Sequence, residues 1–203
     1  MLKTILAACA ALLCVHAGAD PLLLAPTGAT LTTGQVRAAA ALNPSDSQDR
    51  YFWLGAGLMQ VELNVLRIER PNQTAENIVG AQWNFLPETI ITPAVGFGVR
   101  DALSDSKEGI GVYGAVTRHL PAGPASRVLT DFAVTAGVGV GGIRGPFFGF
   151  EARFPSRLIA QGEYDSRDFN AAIAWQPIPL FRLKAYSIRS EFYLGAELAP
   201  IRF

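Results

Sequence analysis

From residue 147 to its end the chain alternates apolar and polar side chains in steps of two. Phe148, Phe150, Ala152 and Phe154 interleave with Gly149, Glu151 and Arg153. Leu158, Ala160, Gly162 and Tyr164 do so with Ile159, Gln161, Glu163 and Asp165, and Phe169, Ala171, Ile173 and Trp175 with Asn170, Ala172, Ala174 and Gln176. Phe181, Leu183 and Ala185 oppose Arg182, Lys184 and Tyr186; Phe192, Leu194, Ala196 and Leu198 oppose Tyr193, Gly195 and Glu197. Neighbouring side chains on a strand leave by opposite faces, so this period specifies strands with one apolar and one polar face. Five such strands joined by short breaks make a β-meander.

The same period runs upstream. It predicts strands at 30–42, 51–58, 61–70, 78–85, 91–100, 110–118 and 128–140, followed by 148–154, 158–165, 169–176, 181–186 and 192–198. The first is rich in alanine, a mediocre strand former. Pro93 marks either a bulge or a strand start. About twelve strands of roughly 8 to 13 residues match the length of a tilted membrane-spanning strand. The breaks fall into two classes. Those at 59–60, 86–88, 119–126, 154–156 and 176–179 are expected on the periplasmic side; the polar ones around Asp46, Gln73, Ser104, Arg144, Ser166 and Ser190 on the outer side.

Residues 1–19 have the layout of a secretory signal peptide: Lys3, an apolar run over 5–15, and the small-x-small site Ala17-Gly18-Ala19. Leu13 stands where a lipoprotein cysteine at Cys14 would need a small residue. Cys9 lies in the same segment, so a mature chain from Asp20 would contain no cysteine and no disulfide. Residues 20–29 read as an extended leader and 30–203 as the β-domain. No later run reaches the ~18 apolar residues of a membrane helix, so a membrane form must be a barrel. The 203 residues carry no net charge, and only 17% are charged, against about 25% in ordinary soluble domains. A balanced chain without a basic patch excludes nucleic acid as a partner.

A sandwich or lipocalin buries the apolar face, whereas a membrane barrel turns it to lipid. Three features favour the barrel. The polar face holds small residues (Gly55, Gly57, Gly96, Gly98, Gly137, Gly139, Ala172, Ala174), as a crowded lumen requires. Its charges have both signs, and Arg100, Glu151, Arg153, Glu163, Asp165, Arg182, Lys184 and Glu197 are the candidate lumen network. Aromatics near strand ends (Phe85, Phe154, Phe169, Trp175, Phe181, Phe192) suit interfacial girdles. The fold expected is therefore an all-β, up-and-down antiparallel meander closed into a membrane barrel.

Chemistry is sparse. His119 is the one histidine after residue 19, and a hydrolase reading would need it beside Ser126 or Ser156 and a carboxylate. No local motif supports that site. Residues 137–142 lack the Lys and Ser/Thr of a phosphate loop, and neither metal-ligand spacing nor a cofactor motif appears. The reading is a non-enzymatic barrel that aids export or forms a narrow pore, its lumen largely filled by paired charges, with a lipid-modifying enzyme and a lipocalin-like periplasmic binder as alternatives.

Pro93-Ala94-Val95-Gly96-Phe97-Gly98-Val99-Arg100-Asp101 followed by Tyr113-Gly114-Ala115-Val116-Thr117-Arg118 resembles the repeated strand pair of YjbH-like outer-membrane barrels. Gly149-Phe150-Glu151, Glu163-Tyr164-Asp165 and Phe169-Asn170 are similar to that family's C-terminal hairpins, and the likeness covers roughly residues 50 to 198. Ile201-Arg202-Phe203 resembles the C-terminal signal read by barrel-assembly machinery, from which Pro200 departs. The resemblance implies a Gram-negative-type outer membrane as location. It also implies outer-membrane lipid, the assembly machinery and polysaccharide-export components as partners, and a role near exopolysaccharide secretion.

Overall fold

A computed structural model describes residues 23–121 and 128–202; the expected signal peptide, Ser126 and Phe203 lie outside them. Twelve strands follow one another: β1 (Gln35–Asn43), β2 (Asp46–Leu58), β3 (Val61–Glu69), β4 (Glu76–Leu86), β5 (Ala94–Arg100), β6 (Gly111–Pro121), β7 (Asp131–Gly141), β8 (Gly145–Arg153), β9 (Leu158–Tyr164), β10 (Phe169–Ile178), β11 (Phe181–Ile188) and β12 (Glu191–Arg202). Each pairs antiparallel with its sequence neighbours, and β12 closes on β1. There is no helix among the described residues. The result is the expected closed up-and-down barrel.

Two proline questions are settled by register. Pro93 immediately precedes β5, so it marks a strand start. Pro200 sits within β12, where the pairing slips: Val36 opposes Ile201 but Ala38 opposes Leu198. A residue without an N–H is tolerated where such an irregularity interrupts the ladder. The first strand differs from expectation, beginning at Gln35 rather than residue 30. Two-residue turns close β2–β3 and β11–β12, with φ of 49° and 66° at Met59 and Gln60 and 51° and 68° at Arg189 and Ser190. Positive φ at both central residues belongs to the type I′ turn, whose twist matches that of a hairpin.

The wall has the predicted two-sidedness. Outward positions stay exposed through the middle of the strands, among them Leu54, Leu63, Val138, Ile173 and Leu194. Inward positions of the same strands are buried and polar, including Glu62, Gln82, Glu151, Gln161, Glu163 and Glu197. An apolar belt of this extent is far larger than soluble monomers expose, and its natural solvent is hydrocarbon. Aromatics pack in groups near both ends of the wall. At the end holding the starts of β1 and β3, Trp83 meets Phe85 edge-on at 5.3 Å between ring centres. At the opposite, far end Tyr164 stacks against Phe169 at 4.9 Å. Charged outward side chains bound the belt: Arg50, Arg67 and Glu69 pair at the far end. Arg118 donates to the carbonyls of Thr89, Ile90 and Thr92 at the near end. The lipocalin-like alternative, which needs these apolar faces to meet in an interior, does not describe this molecule.

Candidate functional site: an occupied lumen

An eight-stranded barrel is filled by its own side chains, whereas sixteen strands leave an aqueous channel. Twelve strands enclose more room than side chains fill, and the surplus is taken by the chain itself. The segment before β1 runs inside the barrel, with Ala25, Thr27, Gly28, Ala29, Thr30 and Leu31 all buried. The leader expected at 20–29 thus continues to the turn at residue 34. It is a plug.

The wall holds this plug by its backbone. Glu163, from β9, accepts the N–H groups of Leu24 at 2.8 Å and Ala25 at 3.0 Å, one on each carboxylate oxygen. Arg100, ending β5, donates to the Leu24 carbonyl at 3.3 Å. Gln82 of β4 donates to the carbonyls of Thr27 and Ala29 at 2.8 and 3.1 Å, and its own oxygen accepts from the Tyr113 hydroxyl. Thr117 of β6 accepts from Gly28 N at 2.8 Å, and Glu62 of β3 accepts from Leu31 N at 2.8 Å. Buried backbone groups must find partners, and five wall side chains supply them here. The fit is tight: a Cβ on Gly28 would lie 2.6 Å from the Ala94 carbonyl oxygen, and one on Gly57 2.4 Å from that of Leu31. Of the glycines predicted to make room in a crowded lumen, Gly57 and Gly96 make it for the leader, while Gly55, Gly98, Gly137 and Gly139 make it for the side chains of Trp53, Tyr113, Phe147 and Ile143.

The rest of the predicted network forms a second system. Arg182 reaches Glu197 at 3.1 Å, and Lys184 pairs with the other oxygen of the same carboxylate. Arg153 holds Glu151 at 2.8 Å, Gln161 donates to Glu151 at 2.7 Å, and Lys184 donates to Gln161 at 3.5 Å. These contacts form one path from β8 to β12. They cross β10 where its inward residues are Ala172 and Ala174, too short to obstruct. Asp165 joins neither system; it accepts the N–H groups of Arg167 and Asp168 and closes the β9–β10 turn.

Sequence reasoning had placed Glu163 among lumen ion pairs, whereas its partners are the leader amides and Asn170, which donates at 2.9 Å. It missed Glu62, Gln82, Thr117 and Arg37, whose guanidinium stacks 4.9 Å from the Trp53 ring centre. All four occupy inward positions of the alternation, which was the signal available. Small cavities lie beside the leader, among them ones of about 70 and 80 Å³ bordered by Leu23 and Leu24 on the plug and Trp53 and Leu66 on the wall. At the far mouth, Glu108 from the β5–β6 loop receives Arg167 at 2.6 Å and Arg189 at 2.8 Å, tying three connections together.

His119 lies at the near end, where its Nδ1 meets Glu88 at 2.6 Å. Of the two serines considered with it, Ser156 has no hydrogen bond to His119 among the described residues.

No protein family and no curated protein sequence matches the chain. Among solved structures it is similar to a mutant porin of Rh. blastica, with a TM-score of 0.36 and 10% identity over 76% of this chain and 56% of that one. The chain therefore spans little more than half the length of that porin.

Proposed function

We propose that this is an outer-membrane barrel forming a narrow, gated pore, shut by its own leader in the state described. The observation that carries the reading is the seating of residues 24–31 across the lumen on hydrogen bonds from five different strands. A lumen built to stay shut needs no such segment. Additional side chains or a narrower barrel would fill it. Export by a cleaved signal peptide fits a near end that carries the start of β1 and the end of β12.

Planar-bilayer recording tests the reading. Wild-type protein should pass little current, while Gly28→Val, whose side chain collides with the Ala94 carbonyl and Thr117 nitrogen, should give open-channel steps. Heat-modifiable migration on gels reports that the variant is folded. A folded Gly28→Val barrel as closed as wild type overturns the gate.

The finer reading, assistance to exopolysaccharide export, rests on the resemblance at 93–101, 113–118 and 149–170. Loss of secreted polysaccharide on deleting the gene, restored by wild type, is its expected outcome; unchanged secretion removes it.

A further inference from the structure

The contacts between wall and leader share one property. Between Leu24 and Leu31 the wall engages seven backbone groups: the N–H of Leu24, Ala25, Gly28 and Leu31 and the carbonyls of Leu24, Thr27 and Ala29. The side-chain hydrogen bond within that stretch, from Thr27 to the Ala29 carbonyl, is internal to the leader. Side-chain identity enters through size and apolarity: Gly28 is held against backbone, Ala25, Ala29 and Leu31 are buried, and Leu23 and Leu24 pack on the apolar cluster around Tyr51, Tyr186 and Tyr193. Peptide-binding domains that accept varied sequences work in this way, spending their hydrogen bonds on main chain and selecting by pockets.

We propose that the lumen is a recognition channel for extended polypeptide, occupied in cis by the leader, and that an exogenous segment with small residues at the matching positions can replace it. The ligand class is an uncharged, extended peptide with glycine at the position of Gly28 and small side chains at those of Ala25 and Ala29. Glu163 selects for two consecutive N–H groups and so excludes proline or N-methylated residues there, while Gln82 selects for carbonyls two residues apart. The proposal rests on the reading that the leader closes the barrel, and it names what the closed site recognises.

The test uses the full chain with a protease site inserted between the exposed Thr33 and Gly34, folded in detergent and then cut. A fluorophore on the leader reports its residence, and heat-modifiable migration reports the barrel. The severed leader should stay bound and be chased out by excess synthetic peptide of residues 23–33. A peptide with both leucines 23 and 24 changed to valine should chase equally well. One N-methylated at the nitrogens of Leu24 and Ala25 should chase at least about tenfold less well, having lost two hydrogen bonds to a carboxylate. An N-methylated peptide as effective as the parent, or a folded barrel that no peptide re-enters, overturns recognition. Conductance recorded on the same sample separates the two readings: opening on cleavage without rebinding keeps the gate and removes recognition. Peptide-specific rebinding to a barrel that never conducts keeps recognition and removes the gate.

Discussion

Glu163 and Glu197 are the same residue type, both facing the lumen from spanning strands, with 4% and 2% of their surface exposed. Their partners have nothing in common. Glu197 stands directly across the β11–β12 seam from Arg182, with Lys184 one inward step along the same strand. Glu163 has Gly149 across one seam and Asn170 across the other. Neither neighbour carries charge. A buried carboxylate needs compensation wherever it sits, so the cross-strand neighbour decides where that compensation comes from. Opposite cations, the carboxylate stitches the wall to itself. Opposite a glycine and an amide, it is left to hold something that enters the lumen.

The contrast can be broken most directly at Glu197. Its replacement by alanine takes the shared carboxylate from two buried cations, and the barrel should lose about 3–5 kcal/mol. Urea-gradient unfolding in detergent measures this. A loss no greater than an exposed pair gives, about 1 kcal/mol or less, would mean the wall is not held there. Moving a charge to the other side of the wall sharpens the point. Ile173→Arg, on the outward face between the inward Ala172 and Ala174, has only hydrocarbon to meet and should cost about 2–4 kcal/mol. Glu163→Ala removes the acceptor for two leader amides and Asn170. Its effect on barrel stability should be smaller, about 1–3 kcal/mol, while its effect on conductance should exceed that of Glu197→Ala. Equal conductance in the two variants would erase the distinction.

The wall was legible because its information is local. Alternation over residues 147–198 orders Ile159, Gln161 and Glu163 inward and Leu158, Ala160 and Gly162 outward, and closure requires nothing further from the sequence. The Arg182–Glu197 pairing was within reach for the same reason, both being inward residues of consecutive strands. The leader was not. A segment rich in Leu, Pro, Gly and Thr carries no period, and its fixing contacts come from Glu62, Gln82, Thr117 and Glu163, up to 139 positions away in the chain. No spacing rule reaches that far. The start of β1 was misjudged by the same cause: Thr30 and Leu31 look like strand residues because they are extended, yet they are extended inside the lumen rather than in the sheet.

A third carboxylate lies outside the span and completes the comparison. Asp101, in the loop after β5, is buried, and its oxygens accept from Asp105 N and Ser106 N at 2.9 Å and from the Ser106 hydroxyl at 2.6 Å. Burial by itself raises its pKa, but these hydrogen bonds outweigh it and hold the carboxyl below its ordinary value of 3.8. A group lowered on folding contributes stability above its unfolded pKa and loses it as pH falls through the folded one. The loop at 101–110 should therefore become protease-sensitive only below pH 3.8, and Asp101→Asn should expose it at neutral pH. The expected cost is local and small, about 1 kcal/mol. Conductance recorded in the same acid series decides how independent the loop is. If it loosens without any rise in current, the carboxylate of Asp101 serves its own loop alone, as that of Glu197 serves the wall. If current rises with loop cleavage, the latch from Glu108 to Arg167 and Arg189 couples the far mouth to the plug, and Asp101 belongs with Glu163.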